Sequence, residues 1–269
     1  TLVVSPAFLG FPASMGEKRT WGYAAQLYSI RSADSWGMGD LLDLADLATW
    51  SATQQFAGFV LVNPLHAAQP MPPLEPSPYL PTSRRYVNPL YIRPEAVPEY
   101  AELGERSRAR IAQHKAQLRK HLAGEPFIQR DLIWAAKIDA LQVVYAHGLR
   151  PARRMAFNDF LRREGRGLTQ FATWSALVNS YGDDWREWPA ELRRPSSPEV
   201  AVFAEEHLDL IIFFAWLQWI ADDQLRAAQS AATDAGMRVG IMNDLAVGVG
   251  GDSAEAWTYS NLFADGISV

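Results

Sequence analysis

The chain alternates short, dense apolar runs with longer stretches in which apolar residues recur every three or four positions. Residues 23–30 (YAAQLYSI) and 56–62 (FAGFVLV) are aromatic and β-branched runs of strand length, the pattern of parallel strands buried on both faces. Between them Asp40 stands where a helix cap belongs, and Leu41, Leu44, Ala45 and Ala48 recur at i, i+3, i+4 and i+7. Strand, helix and strand make one βα unit. A third run of the same type, residues 237–242 (MRVGIM), follows a long apolar helix predicted to end near Ala232 with Gly236 as its cap.

About 170 residues separate the second run from the third, where a βα connection ordinarily takes only a few. A subdomain must lie there, and its pattern is helical. Trp134, Ile138, Leu141 and Tyr145 share one helical face, as do Phe171, Trp174, Val178 and Tyr181. The charged stretch 102–120 reads as a solvated helix. Residues 185–198, with three prolines and two tryptophans, read as a turn-rich connector. The most apolar stretch, 208–220, is too short for a membrane span and holds Asp209 and Gln218, so a buried helix is expected.

Composition narrows the classes. With 48% hydrophobic residues in 269, the chain has material for a large core, and a net charge of −5 supplies no field for nucleic acid or anionic lipid. The absence of cysteine excludes disulfides and thiolate metal sites and fits a reducing, cytoplasmic setting. The front lacks a secretory layout and begins with Thr1, so a preceding segment is expected.

Residues 76–90 (PSPYLPTSRRYVNPL) carry too much proline for a regular strand or helix and follow the second run through Asn63-Pro64-Leu65-His66. They read as a rigid loop at the C-terminal end of a strand, where parallel α/β folds bind ligands. Ser77, Tyr79 and Asn88 offer the hydroxyls, amide and aromatic face that sugars use; a purely structural proline loop is the competing reading. Asp244 ends the third run, placed either to hold substrate hydroxyls or to cap a turn. Of the five histidines only His66 lies near this end, and none has the spacing of a metal site. The glycines at 248, 250 and 251 make no phosphate loop, and no G-x-S-x-G is present. Trp134, Trp174, Trp216 and Trp219 fit core positions. Glu205-Glu206 and Asp222-Asp223 read as solvated helix faces, not a catalytic pair.

Taken in order, these segments resemble the 4-α-glucanotransferases of glycoside hydrolase family 77, the amylomaltases, and their actinobacterial branch in particular. The resemblance rests on Trp21-Gly22, Gln26-Leu27-Tyr28-Ser29-Ile30-Arg31-Ser32, Trp36-Gly37-Met38-Gly39-Asp40, Asn63-Pro64-Leu65-His66 and Ser77-Pro78-Tyr79. It continues through Asn88-Pro89-Leu90-Tyr91-Ile92, Trp216-Leu217-Gln218-Trp219, Asp244-Leu245-Ala246-Val247-Gly248-Val249 and Ser253-Ala254-Glu255-Ala256-Trp257. It implies an α/β fold, the first three of eight βα units of a (β/α)8 TIM barrel, with a large helical insertion between strands 2 and 3. It implies further that Ser77, Tyr79 and Asp244 line the sugar subsite at the cleavage point; Asn88 and His66 remain substrate-binding candidates by their position alone.

The implied activity is transfer of α-1,4-glucan segments between maltodextrins without metal or organic cofactor. Retaining transfer needs a carboxylate nucleophile and a carboxylic acid/base about 5 to 5.5 Å apart. In the family these sit on later strands, the nucleophile in an R-x-D-H segment that this sequence lacks. Catalytic residues are therefore expected beyond Val269, and the chain alone is expected to be inactive and poorly soluble. The implied layout is a linker over 1–20, strands 1–2 and the substrate loop over 21–98, the insertion over 99–200, and a helix, strand 3 and its loop over 201–269. A non-catalytic glycan-binding protein with the same partial barrel is the alternative, and a hydrolase preferring water is a third reading.

Overall fold

The structure is a computed structural model that describes Gly10, residues 13–16 and residues 19–262. The linker read over 1–20 lies largely, and the tail 265–269 wholly, outside the described residues. Strands β1 (Gly22–Ala25), β2 (Phe59–Val62) and β5 (Gly240–Asn243) form one parallel sheet in the order β1-β2-β5. All three apolar runs thus become parallel neighbours, each shorter than its run.

Specific hydrogen bonds, one long-range and others within helix ends, account for the shortening. After β1 the amide of Leu27 donates to Asn63 Oδ1 at 2.8 Å, which pulls the chain off the ladder into a 3-10 turn, Leu27–Ser29. Gly39 packs so tightly there that a Cβ would lie 1.9 Å from the Leu27 carbonyl oxygen and 2.1 Å from that of Ile30. Helix α1 (Leu41–Gln55) starts on a capping box between Asp40 and Asp43 and ends at Phe56, which takes the left-handed conformation at φ 56° and is exposed. Phe56 therefore closes the helix and does not open β2. Before β5, residues 236–237 are spent on the long preceding helix: Gly236 and Met237 donate to the carbonyls of Thr233 and Ala232, a Schellman closure.

The sheet is covered on one face. Val60 and Val62 are buried on the side where α1 packs against the 27-residue helix α6 (Leu208–Asp234). On the other face Ala24, Leu61 and Met242 stand in one row across the three strands, half-buried or exposed. Burial on both faces is thus not what the described residues give.

The segment between β2 and β5 is not wholly helical. It opens with an antiparallel hairpin, β3 (His66–Ala67) and β4 (Ser83–Val87). The prolines at 76, 78 and 81 end before Ser83 and resume at Pro89, leaving SRRYV free to pair, so the loop read over 76–90 contains a strand. Helices α2 (Glu105–His121), α3 (Arg130–Ala146), α4 (Pro151–Tyr181) and α5 (Pro198–Glu206) follow, α4 being broken at Gly165 (φ 57°). Residues 185–198 contain two 3-10 turns, Trp185–Glu187 and Ala190–Arg193. Trp134, Trp174, Trp216 and Trp219 are all core, whereas Tyr181 is exposed at its helix end.

Two buried glutamines of α6 fasten the segment after β4. Gln218 accepts from the Val87 amide and donates to the Val87 carbonyl, both at 2.9 Å; Gln224 does the same to Arg93 at 2.9 and 2.8 Å. Each side-chain amide replaces a missing strand neighbour. Arg93 in turn meets Asp40 at 2.5 Å and pairs charge with Asp43 at 3.0 Å, all three buried. Lys137 of α3, fully buried, donates to the Leu90 carbonyl at 2.7 Å and lies 4.0 Å from Asp40, with burial bringing its pKa down to about 8. Asp222 and Asp223 are not merely solvated: Asp222 pairs with Arg163 and Arg226, and Asp223 with Arg153, whose guanidinium stacks 4.0 Å over Trp219.

Candidate functional site

The C-terminal ends of the three parallel strands converge with the β3–β4 hairpin. β2 runs into Asn63, whose amide group serves three partners: it accepts from Leu27 and donates to Pro64 O at 2.9 Å and Tyr91 Oη at 3.1 Å. Burial pushes the Tyr91 phenol up to about 12, so it stays neutral. β5 runs into Asp244, whose amide still bonds to Val62 O at 3.0 Å. The ladder therefore carries Asp244 to the same end as the proline loop between β3 and β4.

There the two sequence-predicted groups meet. Tyr79 Oη donates to Asp244 Oδ2 at 3.1 Å, and the other carboxylate oxygen accepts from the Leu245 amide at 2.8 Å. The charge–phenol hydrogen bond raises the Tyr79 pKa. Ser77 Oγ accepts from the Tyr79 amide at 3.3 Å, a local turn that orients the tyrosine. These three are brought together; Tyr79 is about half exposed, so its ring face is open to a ligand.

Beside them a cleft is lined by Tyr28, His66, Ser77, Asn88, Tyr91 and Arg130 among others, with about 30 Å³ of open space. That is room for about two waters, so any larger ligand would lie across its mouth instead of inside it. Asn88 borders the cleft, but its side-chain oxygen caps the 3-10 turn Pro89–Tyr91 through the Leu90 amide at 3.0 Å. His66 also borders it, yet its Nε2 accepts from the Ala246 amide at 3.2 Å. Each thus has one acceptor atom engaged by a backbone amide, Oδ1 of Asn88 and Nε2 of His66.

Glu255 and Arg84 were not singled out by sequence reasoning. Glu255 accepts from the Arg84 amide at 2.6 Å and Ser83 Oγ at 3.1 Å, while the Arg84 guanidinium donates to Val247 O at 3.0 Å. The only signal was the unexplained acid in the Ser253-to-Trp257 segment. Among the described residues no group of three or more His, Cys, Asp or Glu is placed to hold a metal, and no helix is long and apolar enough to cross a membrane.

The sequence profile of glycoside hydrolase family 77, 4-alpha-glucanotransferase, matches residues 25–269. The chain belongs to this family. Among curated relatives the 4-alpha-glucanotransferase of Mycobacterium bovis is 50% identical over 273 residues, covering 99% of this chain and 37% of the relative. Among solved structures the amylomaltase from Corynebacterium glutamicum superimposes with a TM-score of 0.76 at 42% identity, over 90% of this chain and 32% of that one. The amylomaltase from Streptococcus agalactiae, solved in complex with acarbose, has a TM-score of 0.72 at 18% identity, over 91% and 47%, a likeness of fold. The family 77 chain described here spans less than half the length of each of these three proteins.

Proposed function

We propose that this chain builds the donor-side wall of a glucan cleft in a 4-α-glucanotransferase that transfers α-1,4-glucan segments between maltodextrins. The observation that carries the reading is the meeting of Tyr79 and Asp244, 165 positions apart in sequence, at the C-terminal end of a parallel sheet. In this reading the phenol and the carboxylate exchange their mutual hydrogen bond for two sugar hydroxyls, and the exposed tyrosine ring packs on the sugar face. Ser77 lies within the same turn and offers its hydroxyl to the neighbouring position. Asn88 contributes its side-chain NH₂ at the cleft border.

The three strands are then the first of a (β/α)8 barrel. The uncovered row Ala24, Leu61 and Met242 supports this, because the inward layer of a barrel sheet needs partner strands to bury it. The exposed side chains of Leu245 and Val247, in the loop that leaves β5, support it too. The unit boundaries that go with this reading are 21–98, 99–200 and 201–269. The chemistry is retaining, through a glycosyl-enzyme intermediate on carboxylates outside this sequence, and it calls on no metal or organic cofactor. A cytoplasmic location fits a chain without cysteine.

The protein expressed from its whole reading frame is to be incubated with maltotriose and the products resolved. A ladder of shorter and longer maltodextrins is expected, with acarbose inhibiting. Glucose and maltose alone would replace transfer by hydrolysis. Acarbose binding without turnover would favour the non-catalytic glycan-binding reading, and the isolated chain is expected to be inactive.

A further inference from the structure

The loop that carries Asp244 is fastened through His66, which borders the cleft, and through Arg84 and Glu255, which do not line it. Ala246 is fully buried, and its amide donates to His66 Nε2 at 3.2 Å. One residue on, Val247 O accepts from Arg84. Where the loop enters α7 (Ala254–Thr258), Glu255 accepts from the Arg84 amide and Ser83 Oγ, and its own amide donates to Thr82 O at 3.3 Å. Both ends of residues 244–255 are thus tied to the β3–β4 hairpin, and the proline loop with Ser77 and Tyr79 is the connection between that hairpin's own strands.

We propose that His66 and Glu255 are positioning residues, not sugar ligands: through Ala246 and the β4 backbone they hold the Asp244 loop to the hairpin and so set Asp244 opposite Tyr79. The inference rests on the donor-cleft reading above. Nε2 can accept from Ala246 only when His66 is neutral with its proton on Nδ1. An imidazolium has no acceptor, and the buried Ala246 amide would then lose its partner.

The groups facing His66 come from three elements. Burial lowers its pKa from 6.5 and Arg84 of β4 lowers it further, while Glu255 of α7 and Asp244 after β5 pull it upward, with a net lowering. As pH falls below 6.5, the released loop takes up a proton more readily than the fastened one, so acid favours release and neutral pH favours the fastened state.

The test compares the wild type with His66→Gln and His66→Leu, each expressed from the whole reading frame. Glutamine can present its side-chain oxygen to Ala246 and does not titrate; leucine offers no acceptor. Maltotriose KM and kcat are measured from about pH 5 to 8, alongside amide hydrogen exchange of residues 244–253 without sugar. The wild type is expected to lose affinity and exchange protection at the acid end, H66Q to keep both, and H66L to show KM raised about tenfold at neutral pH with kcat less affected. The idea is overturned if H66Q retains the acid loss in exchange protection, or if H66L matches the wild type in KM and exchange. Should the wild type neither bind nor transfer maltodextrins, the donor-cleft reading fails, while the exchange comparison still decides whether His66 fastens the loop. A Glu255→Gln variant, which still accepts hydrogen bonds, is expected to behave more mildly than Glu255→Ala in the same exchange measurement.

Discussion

The phenol of Tyr79 donates to the carboxylate of Asp244 across 3.1 Å, joining a proline-rich loop to the end of a strand that lies 165 positions later in the chain. The pair is exposed, and breaking it leaves each partner accessible to water. Tyr79→Phe should therefore leave the unfolding midpoint close to that of the wild type. In the transfer assay the same change should lower kcat/KM about ten- to a hundredfold, because the lost hydrogen bond is one made with a charged or hydroxyl partner of the sugar site. Equal kcat/KM for Tyr79→Phe and wild type would remove Tyr79 from the donor subsite.

Gln218 and Gln224 each satisfy one buried backbone amide and one buried carbonyl. Replacing either by leucine keeps the approximate volume but strands both backbone groups. A loss of about 2 to 5 kcal/mol per variant is expected in urea unfolding. A loss below about 1 kcal/mol would mean that water reaches Val87 or Arg93 after all.

Lys137 is buried with its pKa brought down to about 8 from 10.5. The unfolded chain binds the proton more tightly, so between about pH 8 and 10 this group makes the fold more stable as pH rises. Its contribution reaches at most about 1.4 kcal/mol per pH unit. The difference between the wild-type and Lys137→Met stability curves should therefore show that slope, since the variant has no group titrating there. Parallel curves across the window would show that the ammonium keeps more solvation than its burial suggests.

Gly39 leaves no room for a side chain, since a Cβ would fall inside the contact distance of two carbonyl oxygens. Both are backbone atoms and cannot turn aside as a flexible side chain would. Gly39→Ala should cost at least about 3 kcal/mol or prevent folding. A variant with wild-type melting behaviour would show that the Leu27–Ile30 turn can shift by more than its hydrogen bonds allow.

Much of this molecule was legible in its sequence. The three apolar runs are the three parallel strands, the Asp40 cap is real, and the tryptophans at helical spacing are core. The strand ends differ from the apolar runs because hydrogen bonds set them: the Asn63 side chain, 36 positions away, draws Leu27 out of β1, and the closing turn of α1 takes Phe56. The β3–β4 hairpin was missed because proline content was averaged over a loop whose prolines avoid the paired residues. The site showed the same division. Ser77, Tyr79, Asn88, His66 and Asp244 all stand out from loop chemistry and strand-end position, but that Oδ1 of Asn88 and Nε2 of His66 accept from backbone amides is visible only in three dimensions.

Composition, periodicity and ordered motifs, which are properties of neighbours along the chain, determined the α/β class, the family and the approximate places of the three parallel strands. Which acid faces which hydroxyl, and whether an imidazole nitrogen is free for a ligand or already holds an amide, was decided only by the tertiary structure. A hydrogen bond depends on distances of a few ångströms between segments nearly two hundred residues apart, and no local pattern encodes those distances.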